Sequence, residues 1–271
     1  MKKQQWLTTL ALVMSAGVPS AYAANYEVLA PGALHEGKTI AEWTAAWWTW
    51  AWNSPAGADP LSDSSGALAN QNNGGPVFFM AGSNSNGAVV RAFDVPGGRA
   101  LLVPMINYWE NCVGDIAISC APNYVPDPGA VLLANSETYR SAVTHSFVTI
   151  DSTPVPDPLT HWEVSSVFSG GVAQPGTILV ALYAGAGIDI TGLDISPSLV
   201  SGYYAMVTGL SPGTHTITYG GATNAFGGFN YQVTANINVL AVPEPEMVGL
   251  LLAGLGTVGW CARRRGMQSA R

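Results

Sequence analysis

The sequence predicts a mainly β protein: an antiparallel β-sandwich or jelly-roll-like body with one tryptophan-rich helix, flanked by an N-terminal signal peptide and a C-terminal transmembrane helix. Three observations carry this expectation. Short runs of β-branched and aromatic residues recur along the chain. They are joined by Pro96-Gly97-Gly98, Pro175-Gly176, Pro212-Gly213, Gly220-Gly221 and Gly227-Gly228, which is turn chemistry. Charged residues make up only 10% of the chain, and aromatics match them, a balance that argues against disorder. In the last run, Val233, Ala235, Ile237 and Val239 alternate with Thr234, Asn236 and Asn238, giving one apolar and one polar face.

Taken in order, the chain opens with Lys2 and Lys3, an apolar stretch over 6–18, and the small-x-small triplet Ala21-Tyr22-Ala23. That is the pattern of a signal peptide over 1–23, cut by signal peptidase, with the exported body over 24–241. A helix follows: Thr39 and Glu42 have capping-box spacing, Trp43, Trp47 and Trp50 fall on one face, and Pro55 ends the run. Trp48 and Trp52 form a second stripe beside the first. Strands are expected over 77–81, 88–95, 99–107, 145–150, 161–168, 177–183, 203–208, 214–219 and 229–240, with a weaker helix over 130–143. Nothing in the composition divides the body into two domains.

Function classes narrow once the ends are set aside. The body holds four basic residues (Lys38, Arg91, Arg99, Arg140) against fifteen acidic ones, a net charge of −11. Such a body does not hold nucleic acid by neutralising phosphates. The tryptophan stripes have two readings: core packing, or a ligand surface at Trp48 and Trp52 for a partner such as extracellular polysaccharide. Asp59 and Asp63 are weak candidates for a Ca²⁺ site; their spacing is not that of an EF-hand, and turn-forming aspartates are the simpler reading. No cofactor and no other metal is expected. His145, Ser146 and Asp151 are close in sequence, but adjacent strand residues face opposite ways, so they do not define a triad. No catalytic residue is assigned, and the chain is read as no enzyme, with a secreted hydrolase the weakest alternative. Cys112 and Cys120 are the only cysteine pair in the exported body, either a disulfide or two free thiols.

The tail over 242–271 is the most specific segment. Val242, Pro243, Glu244 and Pro245 precede an uncharged run over 247–262, which stops at Arg263, Arg264 and Arg265. The run is short for a hydrocarbon core of about 30 Å, a deficit that snorkelling arginines reduce. The arginines place that end in the cytoplasm and the body across the inner membrane. With Gly254, Gly256 and Gly259 inside the run, this tail resembles the PEP-CTERM sorting signal of Gram-negative bacteria. The resemblance implies recognition by an exosortase-type protease, a transient inner-membrane anchor and final delivery to the cell surface or outside. The body segments GKTIAEWTAAWWTWAW, GGPVFFMAG, VPGGRALLVPMIN and LSPGTHTITYGG also resemble an uncharacterised family of secreted bacterial proteins. The expected role is a structural or adhesive component of the cell surface or matrix, the alternative a carbohydrate-binding module.

Overall fold

A computed structural model of the chain describes residues 26–112 and 127–242. The signal peptide, Cys120, the motif Pro243-Glu244-Pro245, the apolar run 247–262 and Arg263 to Arg265 lie outside the described residues. The elements are β1 (Glu27–Val28), β2 (Leu34–His35), β3 (Lys38–Thr39), α1 (Ile40–Trp52), β4 (Val77–Phe79), β5 (Gly87–Val95) and β6 (Ala100–Asn111). There follow α2 (Pro128–Ala142), β7 (Val143–Ile150), β8 (Thr153–Pro154), β9 (Trp162–Val164), α3 (Ile178–Gly185), β10 (Ser198–Thr208), β11 (Gly213–Thr223) and β12 (Phe229–Val239).

Two sheets face each other, and α1 makes a third layer. The first sheet has the order β1-β10-β6-β4 with β9 also on β10; the second has the order β5-β12-β11-β7-β8. Between them lies the larger core, including Phe78, Leu101, Val103, Val148, Ile217, Tyr219, Val233 and Ile237. The other face of the first sheet, with Phe79, Leu102, Tyr204 and Met206, is covered by the tryptophans of α1. The outer face of the second sheet is open. There the alternation read in β12 is realised: Val233, Ala235, Ile237 and Val239 are buried, while Asn236 and Asn238 are exposed.

α1 starts where its cap predicts. The Thr39 hydroxyl accepts from the Glu42 N–H at 3.2 Å, and the Glu42 carboxylate accepts from the Thr39 N–H at 2.7 Å. Those hydrogen bonds, with a small opposing contribution from burial and help from Lys38, hold the Glu42 carboxyl below its usual pKa.

The fold departs from the sequence expectation in two places. The sheets are mixed rather than purely antiparallel, because β4 pairs with β6 and β5 with β12 in parallel. The chain crosses to the second sheet for β5 and returns for β6, so β4 and β6 enter the first sheet in the same direction. The run 177–183, expected as a strand, is the helix α3, buried through Ile178 and Leu179. A short apolar run reads the same for a strand and a buried helix, and here tertiary packing decides. The weaker helix expected over 130–143 is present as α2, Pro128–Ala142. α2 begins with Pro128 after Asp127, whose carboxylate accepts from the Ala130 N–H at 3.1 Å. No helix among the described residues is long and apolar enough to cross a membrane.

Candidate functional site

The end of β12 positions the tail. Beyond Val239, the Leu240 N–H donates to the Val95 carbonyl at 2.9 Å, tying the exit to the last residue of β5. The turn Pro96-Gly97-Gly98 lies against it, and a Cβ at Gly97 would collide with the Leu240 carbonyl. Val242 is 56% exposed, and Pro243 follows at once. Four residue steps at full extension put Pro243 within about 14 Å of Val239. Whatever engages Pro243 to Pro245 therefore meets this end of the sandwich.

The tryptophans of α1 are held by their ring nitrogens as well as by packing. Trp43 donates to the His35 carbonyl (2.9 Å), Trp47 to Met80 (2.8 Å) and Trp50 to Gln71 (2.9 Å). Trp48 donates to the Tyr204 hydroxyl at 3.0 Å, and burial keeps that phenol well above its usual pKa. Trp48 is 8% exposed and offers no ligand face. Trp52 is half-buried, 4.7 Å from the Trp48 ring and 5.6 Å from Trp109, and its Nε1 has no partner. It lines a cleft with Trp109, Phe168 and Leu179 that has about 20 Å³ of free space, room for one water molecule. The ligand surface expected at Trp48 and Trp52 is thus reduced to one edge of Trp52.

Asp59 and Asp63 share a loop but serve that loop. Asp59 is buried and accepts from the Ser62 N–H at 2.8 Å. Asp63 accepts from the N–H groups of Ser65 and Leu68 and from the Ser65 hydroxyl. Burial pushes its carboxyl up, but these hydrogen bonds outweigh it and hold the group below its usual value. The buried Arg91 guanidinium donates to the carbonyls of Asp63, Leu61, Ala81 and Gly82. It takes oxygens that a Ca²⁺ ion would need and adds a like charge. Among the described residues, no three His, Cys, Asp or Glu side chains come together as a metal site.

His145 is exposed on the outer face of β7, whereas Ser146 is buried and its hydroxyl meets the Met105 sulfur at 3.4 Å. Asp151 goes elsewhere, to His215 Nδ1 at 2.7 Å and the Thr216 N–H at 2.8 Å. His215 Nε2 lies 2.9 Å from the Ser211 carbonyl and 3.4 Å from its hydroxyl. A nucleophilic serine needs Nε2 free to accept its proton; here the carbonyl claims that nitrogen. The trio ties the β10–β11 turn to the β7–β8 turn. Sequence reasoning missed it because the partners stand 64 residues apart. Beside it, Asp94, Thr214, Thr216, Asn236 and Asn238 line an open groove of about 480 Å³ on the outer face.

Cys112 is disulfide-bonded, which removes the free-thiol reading for this residue. Its expected partner, Cys120, lies outside the described residues.

A folded β body joined through a few residues to a tripartite tail defines an exported protein with a sorting signal. The particular signal is established by comparison: residues 241–265 match the family model of the PEP-CTERM protein-sorting motif. The chain therefore carries a PEP-CTERM motif, which supports sorting by an exosortase system, with export and anchoring through the tail before processing. No curated protein and no solved structure matches the chain, so the resemblance of the body segments to secreted proteins has no support there.

Proposed function

We propose that this protein is a structural or adhesive component of the cell surface or extracellular matrix of a Gram-negative bacterium. Signal peptidase removes its leader, and an exosortase-type protease cuts at Pro243-Glu244-Pro245 and releases the body from the inner membrane. One observation carries the reading: the sorting-motif match begins at residue 241, two residues beyond Val239 at the end of the last strand, so the folded body is the cargo. The reading needs no cofactor and no catalytic step from this chain. The test replaces Pro243, Glu244 and Pro245 with alanine and fractionates the cells. The body should shift from the matrix to the inner-membrane fraction as a longer form, and cell aggregation should fall to that of a deletion strain. Normal release would reject the sorting role, and unchanged aggregation in the deletion strain would reject the adhesive one.

A second reading, a carbohydrate-binding module using Trp52, has one observation in its favour: its ring N–H is unpartnered at the edge of an aromatic cleft. Opening of the cleft on soaking with a neutral oligosaccharide would support it.

A further inference from the structure

The most exposed large apolar side chain among the described residues is Phe226, 81% exposed in the loop joining β11 and β12. Its backbone is left-handed, with φ of +52°, an uncommon conformation for a bulky residue. A ring held this way in the open calls for a functional reason. The ring is also supported. Phe226 stacks on Tyr108 at 5.6 Å and 28°, and Tyr108 stacks on Tyr139 at 4.6 Å and 12°. Tyr139 is buried and fixed by its hydroxyl, which donates to the Asn107 carbonyl at 3.1 Å. The loop is pinned at its start, where the Asn224 N–H donates to the Ala142 carbonyl at 2.9 Å, and is closed on itself by the Gly228 N–H donating to Ala225 at 2.9 Å. One face of the phenyl ring rests on a tyrosine, and the rest meets solvent.

Position then says what can reach it. β12 runs from Phe229 beside this loop to Val239 at the tail exit, about 33 Å at the usual rise per residue. Phe226 therefore stands at the opposite end of the body from the tail exit. The polar side chains of its own hairpin are neutral. Asn224 and Asn230 are exposed, and the Asn230 N–H donates to the Asn86 side chain at 2.8 Å. Asn86 belongs to a groove of about 200 Å³ that also holds Ser62, Ser64, Ser83, Asn84 and Ser85. The two charged groups of that groove, Asp63 and Arg91, are committed to internal hydrogen bonds.

We infer that the Phe226 end of the body binds a neutral hexopyranose polysaccharide, the ring stacking on the C–H face of one sugar and the Asn and Ser side chains bonding its hydroxyls. A body of net charge −11 repels a polyanionic chain and opposes pairing with a second copy. One ring among amides is also far smaller than a protein–protein patch. The inference deepens the proposed matrix role and rests on delivery of the body across the membrane.

The experiment uses the processed protein, purified from cells expressing the full chain, in native gels containing laminarin or hydroxyethyl cellulose. Wild type should be retarded, with Phe226→Gly about tenfold weaker, as expected for losing one aromatic contact. Phe226→Trp should retain binding, and Leu34→Ala, which removes another exposed apolar side chain, should match wild type. Glycine tolerates the positive φ, so the glycine variant should melt no lower than wild type and its loss of retention reads binding. Absence of retardation by both glucans, or equal retardation of Phe226→Gly, would overturn the inference. So would Phe226-dependent dimers in sedimentation, or Phe226-dependent binding to phosphatidylcholine vesicles. Glucan retention by a protein absent from the matrix would remove the matrix role alone; matrix delivery without retention would remove this inference alone.

Discussion

Helix α1 and the β11–β12 loop use aromatic side chains in opposite ways. In α1, Trp43, Trp47, Trp48 and Trp50 are each less than a tenth exposed, and every one of their ring nitrogens has an acceptor. At the loop, a single Phe226 is 81% exposed on a left-handed backbone. Burying a tryptophan removes about 150–250 Å² from water, on the order of 4 kcal/mol each before the entropy of ordering. The four rings of α1 thus bind a helix layer to the first sheet, whereas Phe226 buries little. The aromatics most conspicuous in the sequence hold the fold, and the aromatic placed to meet a partner is the inconspicuous one.

The comparison is sharpest in stability. Trp47→Ala should lower unfolding free energy by about 3–5 kcal/mol, measured by chemical denaturation. Phe226→Gly should change it by about 0.5 kcal/mol or less. Equal losses at the two sites would erase the distinction between packing and display. Tyr204→Phe tests the ring-nitrogen part separately. It leaves the Trp48 Nε1–H buried without its acceptor, and should lose about 1–3 kcal/mol. A loss near zero would mean that α1 is held by area alone.

The smallest effect is a pH dependence of the folded body that the Phe226 loop should not share. Burial lowers the His161 pKa below its usual 6.5, only partly offset by Asp157. The unfolded chain therefore binds this proton first, and stability falls as pH drops from 6.5 toward the folded value. Glu163, two residues along β9, has the opposite sign. Burial raises its pKa above 4.5 despite the Gly32 N–H, so its contribution is full below 4.5 and lost as pH rises through the folded value. His161→Gln should thus remove the loss of stability between pH 7 and 5.5, read as the unfolding midpoint. A slope unchanged by that substitution would show that other groups set it.

What could be read from the chain was local. The period-two alternation of β12 and the Thr39-Glu42 cap depend on residues a few positions apart, and both are present as expected. What stayed hidden depends on partners brought together by topology. Parallel pairing of β5 with β12 joins segments 144 residues apart, and no local pattern encodes the direction. α3 is a helix because its apolar residues meet Trp52 and Trp109 across the fold. Asp59 and Asp63 read as turn formers and weak Ca²⁺ candidates, but nothing local showed that Arg91, from a strand of the second sheet, donates to the Asp63 and Leu61 carbonyls of their loop. The exposure of Phe226 was equally silent, since its supports, Tyr108 and Tyr139, come from β6 and α2.

Delivery of the Phe226 end to the matrix depends on the tail being a processed sorting signal that frees the body from the inner membrane. The most direct test is the C-terminal residue of the mature protein, determined by peptide mapping from native cells. The account predicts an end between Pro243 and Glu246. A mature chain still ending at Arg271 would contradict it.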